Sequence, residues 1–171
     1  MASGPVACYA LAMRVPAPDR PTSPRPGFTL VEIMVVVVVI GLLAALALPA
    51  MSRVKRRAQN ARFVSDLRTF AQGFETYALK NGRWPADGTP RVLPPGMSGE
   101  IKDTAWAADT AVGGQWDWDY LQFGFTAGIS VYQPTATVAQ MLEIDQRIDD
   151  GNLSTGNFRA RTSGYIYILE P

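Results

Sequence analysis

Gly27-Phe28-Thr29-Leu30-Val31-Glu32 opens an apolar run that continues through Ile33-Met34-Val35-Val36-Val37-Val38-Val39-Ile40 to Leu48-Pro49-Ala50-Met51, and Glu32 is the one charged residue in it. A charge in hydrocarbon costs about 3 kcal/mol even on lenient insertion scales, so a lone acid in such a run needs a cationic partner. As a helix, residues 28–50 rise about 35 Å, enough to cross a hydrocarbon core of about 30 Å with some tilt. The β-branched stretch Val35–Val39 alone would suit a buried strand, but this length without turn residues predicts a membrane helix. Gly41 is tolerated in such a helix. Pro49 removes a backbone donor and crowds the carbonyl of Ala45, which predicts a kink near the outer end of the span.

A glycine followed by Phe-Thr-Leu-x-Glu and a long apolar run resembles the class III signal of type IV prepilins and type II secretion pseudopilins. The resemblance implies that a membrane-embedded prepilin peptidase cuts between Gly27 and Phe28 and that the new amino terminus, Phe28, is N-methylated. It also implies an assembly role for Phe28 and Glu32, the carboxylate pairing with the Phe28 amine of a neighbouring subunit. The electrostatics agree, since cleavage creates a cation at the head of the helix that carries the buried anion, and pairing relieves both desolvation costs. The residue before Gly27 is Pro26, with Arg25 one further back, where the family usually places a basic residue. Segment 1–27 is then a leader, rich in Pro and Arg, expected to be extended, unstructured and cytoplasmic; Met13 offers an internal start that would shorten it and discard Cys8.

A rival processing site is Ala45-Leu46-Ala47, an A-x-A pattern after an apolar core, which would release a soluble protein from Leu48 onward. Glu32 near the start of the core, and a helical pattern that continues past the site, favour the first reading. Removal of the leader leaves 144 of 171 residues, one membrane helix and a globular part with a single modest core. The chain has no His and its one Cys is Cys8. Disulfides, ordinary zinc sites and Ser-His or Cys-His catalysis are therefore excluded from the mature chain, and no phosphate loop or dinucleotide fingerprint appears. No enzyme activity, cofactor or metal is expected.

Charge divides unevenly. Residues 28–80 carry seven Lys+Arg and three Asp+Glu, a balance of +4, while 81–171 carry six and eleven, a balance of −5. The cluster Arg53, Lys55, Arg56, Arg57 and Arg62 lies just beyond the span, and the positive-inside rule alone would place the carboxyl-terminal domain in the cytoplasm. The peptidase junction requires the leader to face the cytoplasm, and that specific signal outweighs the small bias. The cluster fits a solvated or headgroup-facing turn better than a nucleic-acid site, so nucleic acid is not an expected partner.

From Ser52 the helix continues. Phe63, Leu67, Phe70, Phe74 and Tyr77 are spaced 4, 3, 4, 3 and define a buried stem face, widened by Val64, Ala71 and Ala78. Asn81-Gly82 stops the helix and Trp84-Pro85 prevents continuation. The run Asn81-Gly82-Arg83-Trp84-Pro85 resembles the close of the stem in major pseudopilins. Beyond it the chain is loop-rich to Gly99. Strands are expected over Gln115–Phe123, Phe125–Tyr132 and Arg161–Leu169, and a short helix over Pro134–Ile148 capped by Thr135 or Thr137. In Trp116-Asp117-Trp118-Asp119-Tyr120 the alternation predicts an aromatic face inward and an acidic face in water. Asp149-Asp150-Gly151-Asn152 is a polar turn rather than a calcium loop, because its oxygens lack the alternating positions and closing Glu.

The reading is α+β and pilin-like: a long amino-terminal helix, transmembrane in its inner half and amphipathic in its outer half, laid on a small antiparallel sheet. Its parts are the leader 1–27, the transmembrane half 28–51, the outer half 52–82 and the head 83–171. The resemblance implies a structural subunit of a type IV pilus or type II secretion pseudopilus, single-pass in the bacterial inner membrane with a periplasmic head. Implied partners are further copies of itself, prepilin peptidase, an assembly platform and an ATPase motor. The alternative is a monomeric, membrane-anchored or secreted periplasmic binding module.

Overall fold

The computed structural model of the chain describes residues 27–171, apart from the side chains of 46–50. The expected leader up to Pro26, and the start at Met13, lie outside the described residues. Two compact units divide the chain, Met1–Leu42 and Leu43–Pro171.

Helix α1 spans Leu30–Asn81, 52 residues. It begins where Thr29 caps it: the Thr29 hydroxyl accepts the Glu32 N–H at 3.2 Å and the Thr29 carbonyl accepts Ile33 N–H at 3.3 Å. It ends where the Asn81 amide donates to the Tyr77 carbonyl at 2.8 Å and Gly82 adopts φ +65°, the left-handed stop that glycine takes without strain. The helix runs through Pro49; the kink expected there falls on a residue whose side chain lies outside the described residues. Among the described residues no helix is long and apolar enough to cross a membrane. Five residues of the apolar run, 46–50, have side chains outside that description.

In the second unit the stem meets a four-stranded antiparallel sheet. Its strands are β1 (Gln115–Tyr120), β2 (Ala127–Tyr132), β3 (Phe158–Arg161) and β4 (Gly164–Glu170), in spatial order β1-β2-β4-β3. A one-turn helix α2 (Asp103–Trp106) precedes β1, and α3 (Val138–Ile148) makes the crossover after β2. Thr137 caps α3, its side chain accepting from Gln140 N–H. The architecture is α+β, a long amino-terminal helix against a small sheet.

The core is aromatic. Phe63, Leu67, Phe70 and Phe74 are buried, and Tyr77 packs half-buried at the margin. Trp116 stacks on Phe63 with ring centroids 5.1 Å apart, and Trp106 meets Phe70 and Phe74 edge-on. Gly73 lets Ile101 close on the stem: a β-carbon at Gly73 would stand 2.6 Å from Ile101 Cγ1.

Both sheet edges are occupied by the chain's own backbone. Along β1, Gly88 N–H donates to the Trp118 carbonyl and Arg91 N–H to the Trp116 carbonyl, while the Asp87 carboxylate accepts Tyr120 N–H at 2.8 Å. Along β3, Ala160 N–H donates to the Leu153 carbonyl at 2.8 Å.

The strand expected over Phe125–Tyr132 begins at Ala127 and the helix expected over Pro134–Ile148 begins at Val138, and three larger differences stand out. The strand over Gln115–Phe123 stops at Tyr120, because Leu121 and Phe123 take positive φ and the chain doubles back. The strand over Arg161–Leu169 is the second half of a hairpin, β3–β4, turning at Ser163 with φ 64°. The acidic face of β1 is not in water: Asp117 and Asp119 are 7% and 6% exposed. Arg161, and the 121–126 loop that brings Phe123 over its guanidinium, cover that face.

Candidate assembly site at the amino terminus

Gly27, Phe28 and Thr29 lie outside the helix, and Gly27 and Phe28 are exposed. The junction between Gly27 and Phe28 thus lies outside regular structure, with open space where a Gly27 β-carbon would stand. Thr29 and Glu32 form the Thr-x-x-Glu arrangement of a capping box, in which the threonine satisfies the Glu32 N–H and the acid sits in the first turn. An acid there favours the positive end of the helix dipole and any cation beside it. The signal for this cap stood in the sequence as Thr29 three residues before Glu32.

The apolar helix beyond Glu32 is exposed on every side. Leu30, Val31, Ile33, Met34, Val35 to Ile40, Leu42 and Leu43 are each about half exposed or more. A helix apolar all round requires burial in lipid or among other helices.

Two further clusters carry charge in the head. Arg161 bridges Asp117 Oδ2 at 3.1 Å and lies 3.7 Å from Asp119 Oδ2, all three side chains buried; Ser130 donates to Asp119 and accepts from Arg161 Nε. One cation serves two acids, and Asp117 Oδ1 has no partner. Burial first, then the Asp119 charge, against the pull of Arg161, lifts the Asp117 carboxyl to about 6. Burial likewise raises Asp119.

At the end of α3, Asp145, Asp149 and Asp150 each bring a carboxylate oxygen within 4.8 Å of the others. Asp149 accepts the N–H groups of Asn157 and Phe158, and Asp150 accepts Asn152 N–H and the Thr155 hydroxyl, so 149–157 is a polar turn. Asp145 is fully buried and neither of its oxygens has a hydrogen-bond partner. Burial, then the charges of Asp149 and Asp150, pushes its carboxyl above the usual range. Hard oxygen donors of this kind accept a proton or a hard cation. The run 149–152 alone does not reveal the trio, because Asp145 lies one helical turn earlier.

Residues 23–48 match the family model described as the prokaryotic N-terminal methylation motif. Over part of its length the chain is similar to proteins of type II secretion and type IV pili. It is 42% identical over 60 residues to type II secretion system core protein G of Pectobacterium carotovorum subsp. carotovorum, a match covering 35% of this chain and 38% of that protein. It is 41% identical over 66 residues to the protein of the same name from Escherichia coli K12, covering 39% and 46%. Type IV major pilin protein PilE1 of Neisseria gonorrhoeae is 42% identical over 67 residues, covering 37% and 38%. The chain thus spans less than half the length of these relatives. No solved structure matches it. The pilin-like stem holds the junction Gly27-Phe28 and the capped Glu32 within the matched motif.

Proposed function

We propose that the chain is a structural subunit of a type IV pilus or type II secretion pseudopilus, cut by prepilin peptidase after Gly27, methylated at Phe28 and polymerised through α1. The observation that carries this reading is the exposed Gly27-Phe28 junction one residue before the Thr29 cap of a helix whose first turns are apolar and exposed, with Glu32 the one charge in residues 28–51. Cleavage leaves an amine at Phe28, at the positive end of the helix dipole, so the new terminus is a concentrated cation that an acid stabilises. In the bilayer that acid is Glu32. Between copies, a Glu32 meeting the Phe28 amine of a neighbour removes two unpaired charges from an apolar setting at once. The relatives' names, core protein of type II secretion and type IV major pilin, support the same class of function.

In this reading the subunit waits in the inner membrane with residues 28–51 as its span and its head in the periplasm, and the platform and ATPase extract it into the filament. The apolar faces of 30–43 then exchange lipid for the stems of other copies. The chain catalyses nothing itself. The reading is tested by the mass of the mature amino terminus in cells. A terminus at methylated Phe28 supports it, and Gly27→Ala blocks or slows that cut; a mature chain beginning at Leu48, after Ala45-Leu46-Ala47, overturns it.

A further inference from the structure

Arg53, Arg56 and Arg57 share one face of the stem, three and four residues apart, and Arg147 in the last turn of α3 meets them from the head. Together with Glu143 and Gln146 they line a pocket of about 370 Å³. Its one acid is committed: Glu143 Oε1 pairs with Arg56 at 2.8 Å, and Glu143 Oε2 accepts from the Asn60 amide at 3.1 Å. Asn60 is fully buried and is fixed in turn by the Gln140 amide at 2.8 Å. One arginine of the pocket is therefore neutralised and locked in place. Arg53, Arg57 and Arg147 form no ion pair among the described residues.

We infer that this pocket holds the phosphate of an anionic phospholipid headgroup, anchoring the head of the unassembled subunit to the membrane surface. The inference rests on reading residues 28–51 as a membrane span. Arg53 follows Met51, the last residue of the apolar run, by two positions, about 3 Å along a helix. Three cations without an acid are thus placed where a span leaves the hydrocarbon and where lipid phosphates lie. Clusters of arginine beside a membrane helix are drawn to anionic lipid, and the guanidinium fork matches phosphate oxygens in pairs. The recess adds geometry to charge: Arg147 comes from a different element, so a headgroup in the pocket bridges stem and α3. Nucleic acid is the weaker occupant, because a pocket against the bilayer admits one phosphate rather than a backbone track.

The test is native mass spectrometry of the full processed chain, released from micelles of an uncharged detergent loaded with equal phosphatidylglycerol and phosphatidylcholine. The wild-type chain is expected to retain phosphatidylglycerol in preference, with excess inorganic phosphate failing to displace it. The variants Arg53→Gln, Arg57→Gln and Arg147→Gln are each expected to weaken that preference about fivefold. The matching lysine variants keep the charge without the fork and restore part of it, which separates loss of charge from loss of fold. Equal retention of the two lipids, displacement by inorganic phosphate, or glutamine variants as selective as the parent overturns the inference. Tighter capture of a duplex oligonucleotide than of phosphatidylglycerol by the same arginines overturns it in favour of nucleic acid. Failure in a chain whose mass shows a Phe28 terminus defeats this inference alone, whereas a Leu48 terminus defeats the membrane reading on which it rests.

Discussion

The ring of Phe74 lies flat on the indole of Trp118, with centroids 3.8 Å apart and planes 5° from parallel. Both side chains are fully buried, and the Trp118 N–H is satisfied by the Pro85 carbonyl at 3.2 Å. This contact joins the stem to the first strand and to the loop that crosses it. Phe74→Ala opens a cavity on both sides and is expected to cost about 3–5 kcal/mol. In a soluble fragment beginning near Ser52, a Phe74→Ala variant that melts with its parent shows that this face does not support the head.

One position upstream, Gly73 tests packing against propensity. Alanine in a helix interior gains about 1 kcal/mol over glycine, but the new methyl would meet Ile101 Cγ1 at 2.6 Å. Overpacking of this kind costs about 1–3 kcal/mol, so Gly73→Ala is expected to lower the melting temperature. Adding Ile101→Ala makes room for the methyl, and thermal denaturation of the double variant is expected to lose less than the sum of the two single changes.

Arg161 is the only cation facing Asp117 and Asp119 within the distances of an ion pair among the described residues. Arg161→Gln strands two buried acids and is expected to cost about 3–5 kcal/mol at neutral pH. Its cost falls in acid. Asp117 has a folded pKa of about 6 against an ordinary 3.8, so its proton is bound more tightly in the fold. Its contribution is therefore full below the ordinary value and lost as pH rises through about 6. Melting curves of Asp117→Asn and wild type across that window check the sign: the advantage of the variant grows as pH rises.

Asp145 follows the same logic in a different place. Its carboxyl is raised by burial and by Asp149 and Asp150, and it has no hydrogen-bond partner. In a metal-free buffer at neutral pH, Asp145→Asn is expected to raise the melting temperature. At a pH below the ordinary carboxylate range, where the native acid is already protonated in both folded and unfolded chains, the gain disappears. A variant that is less stable than wild type in metal-free buffer at both pH values shows that the carboxylate is stabilised by a contact the fold supplies.

Glu32→Gln separates insertion from assembly. Losing a charge from the apolar run leaves insertion intact or improves it, and the Gly27-Phe28 junction is untouched, so cleavage continues. Filament formation is expected to fail, since each Phe28 amine loses its partner in an apolar setting, at a cost of several kcal/mol per contact. Sedimentation or imaging of filaments from cells in which cleavage is verified by mass gives the answer. Wild-type polymerisation by cleaved Glu32→Gln subunits removes the pairing mechanism.

The stem was legible because its periodicity is long and uninterrupted: the 4, 3, 4, 3 spacing from Phe63 to Tyr77 needs no partner to be seen. The alternation Trp116 to Tyr120 gave the inward face of β1, but not what lies on the outward one. Arg161, which covers it, is 44 residues from Asp117, and no local pattern announces such a pairing. Strand β3 escaped because four residues, Phe158 to Arg161, turn through Thr162-Ser163 rather than through an Asn-Gly pair. Helix α3 starts at Val138 rather than Pro134 because Thr137 is extended (φ −71°, ψ 155°) and caps it by accepting Gln140 N–H, while Ala136 N–H ties the preceding residues to the Val112 carbonyl at 3.0 Å. At the amino terminus the Thr29 cap was missed, although Thr29 three residues before Glu32 is the spacing that signals one.

Loops 87–91 and Leu153 seal the two margins of the sheet. Subunits that crowd side by side at polymer density would otherwise be at constant risk of zipping together strand to strand, an error that is hard to reverse. With both margins engaged by the chain itself, adhesion between copies in the proposed filament falls to the helix rather than to strand pairing.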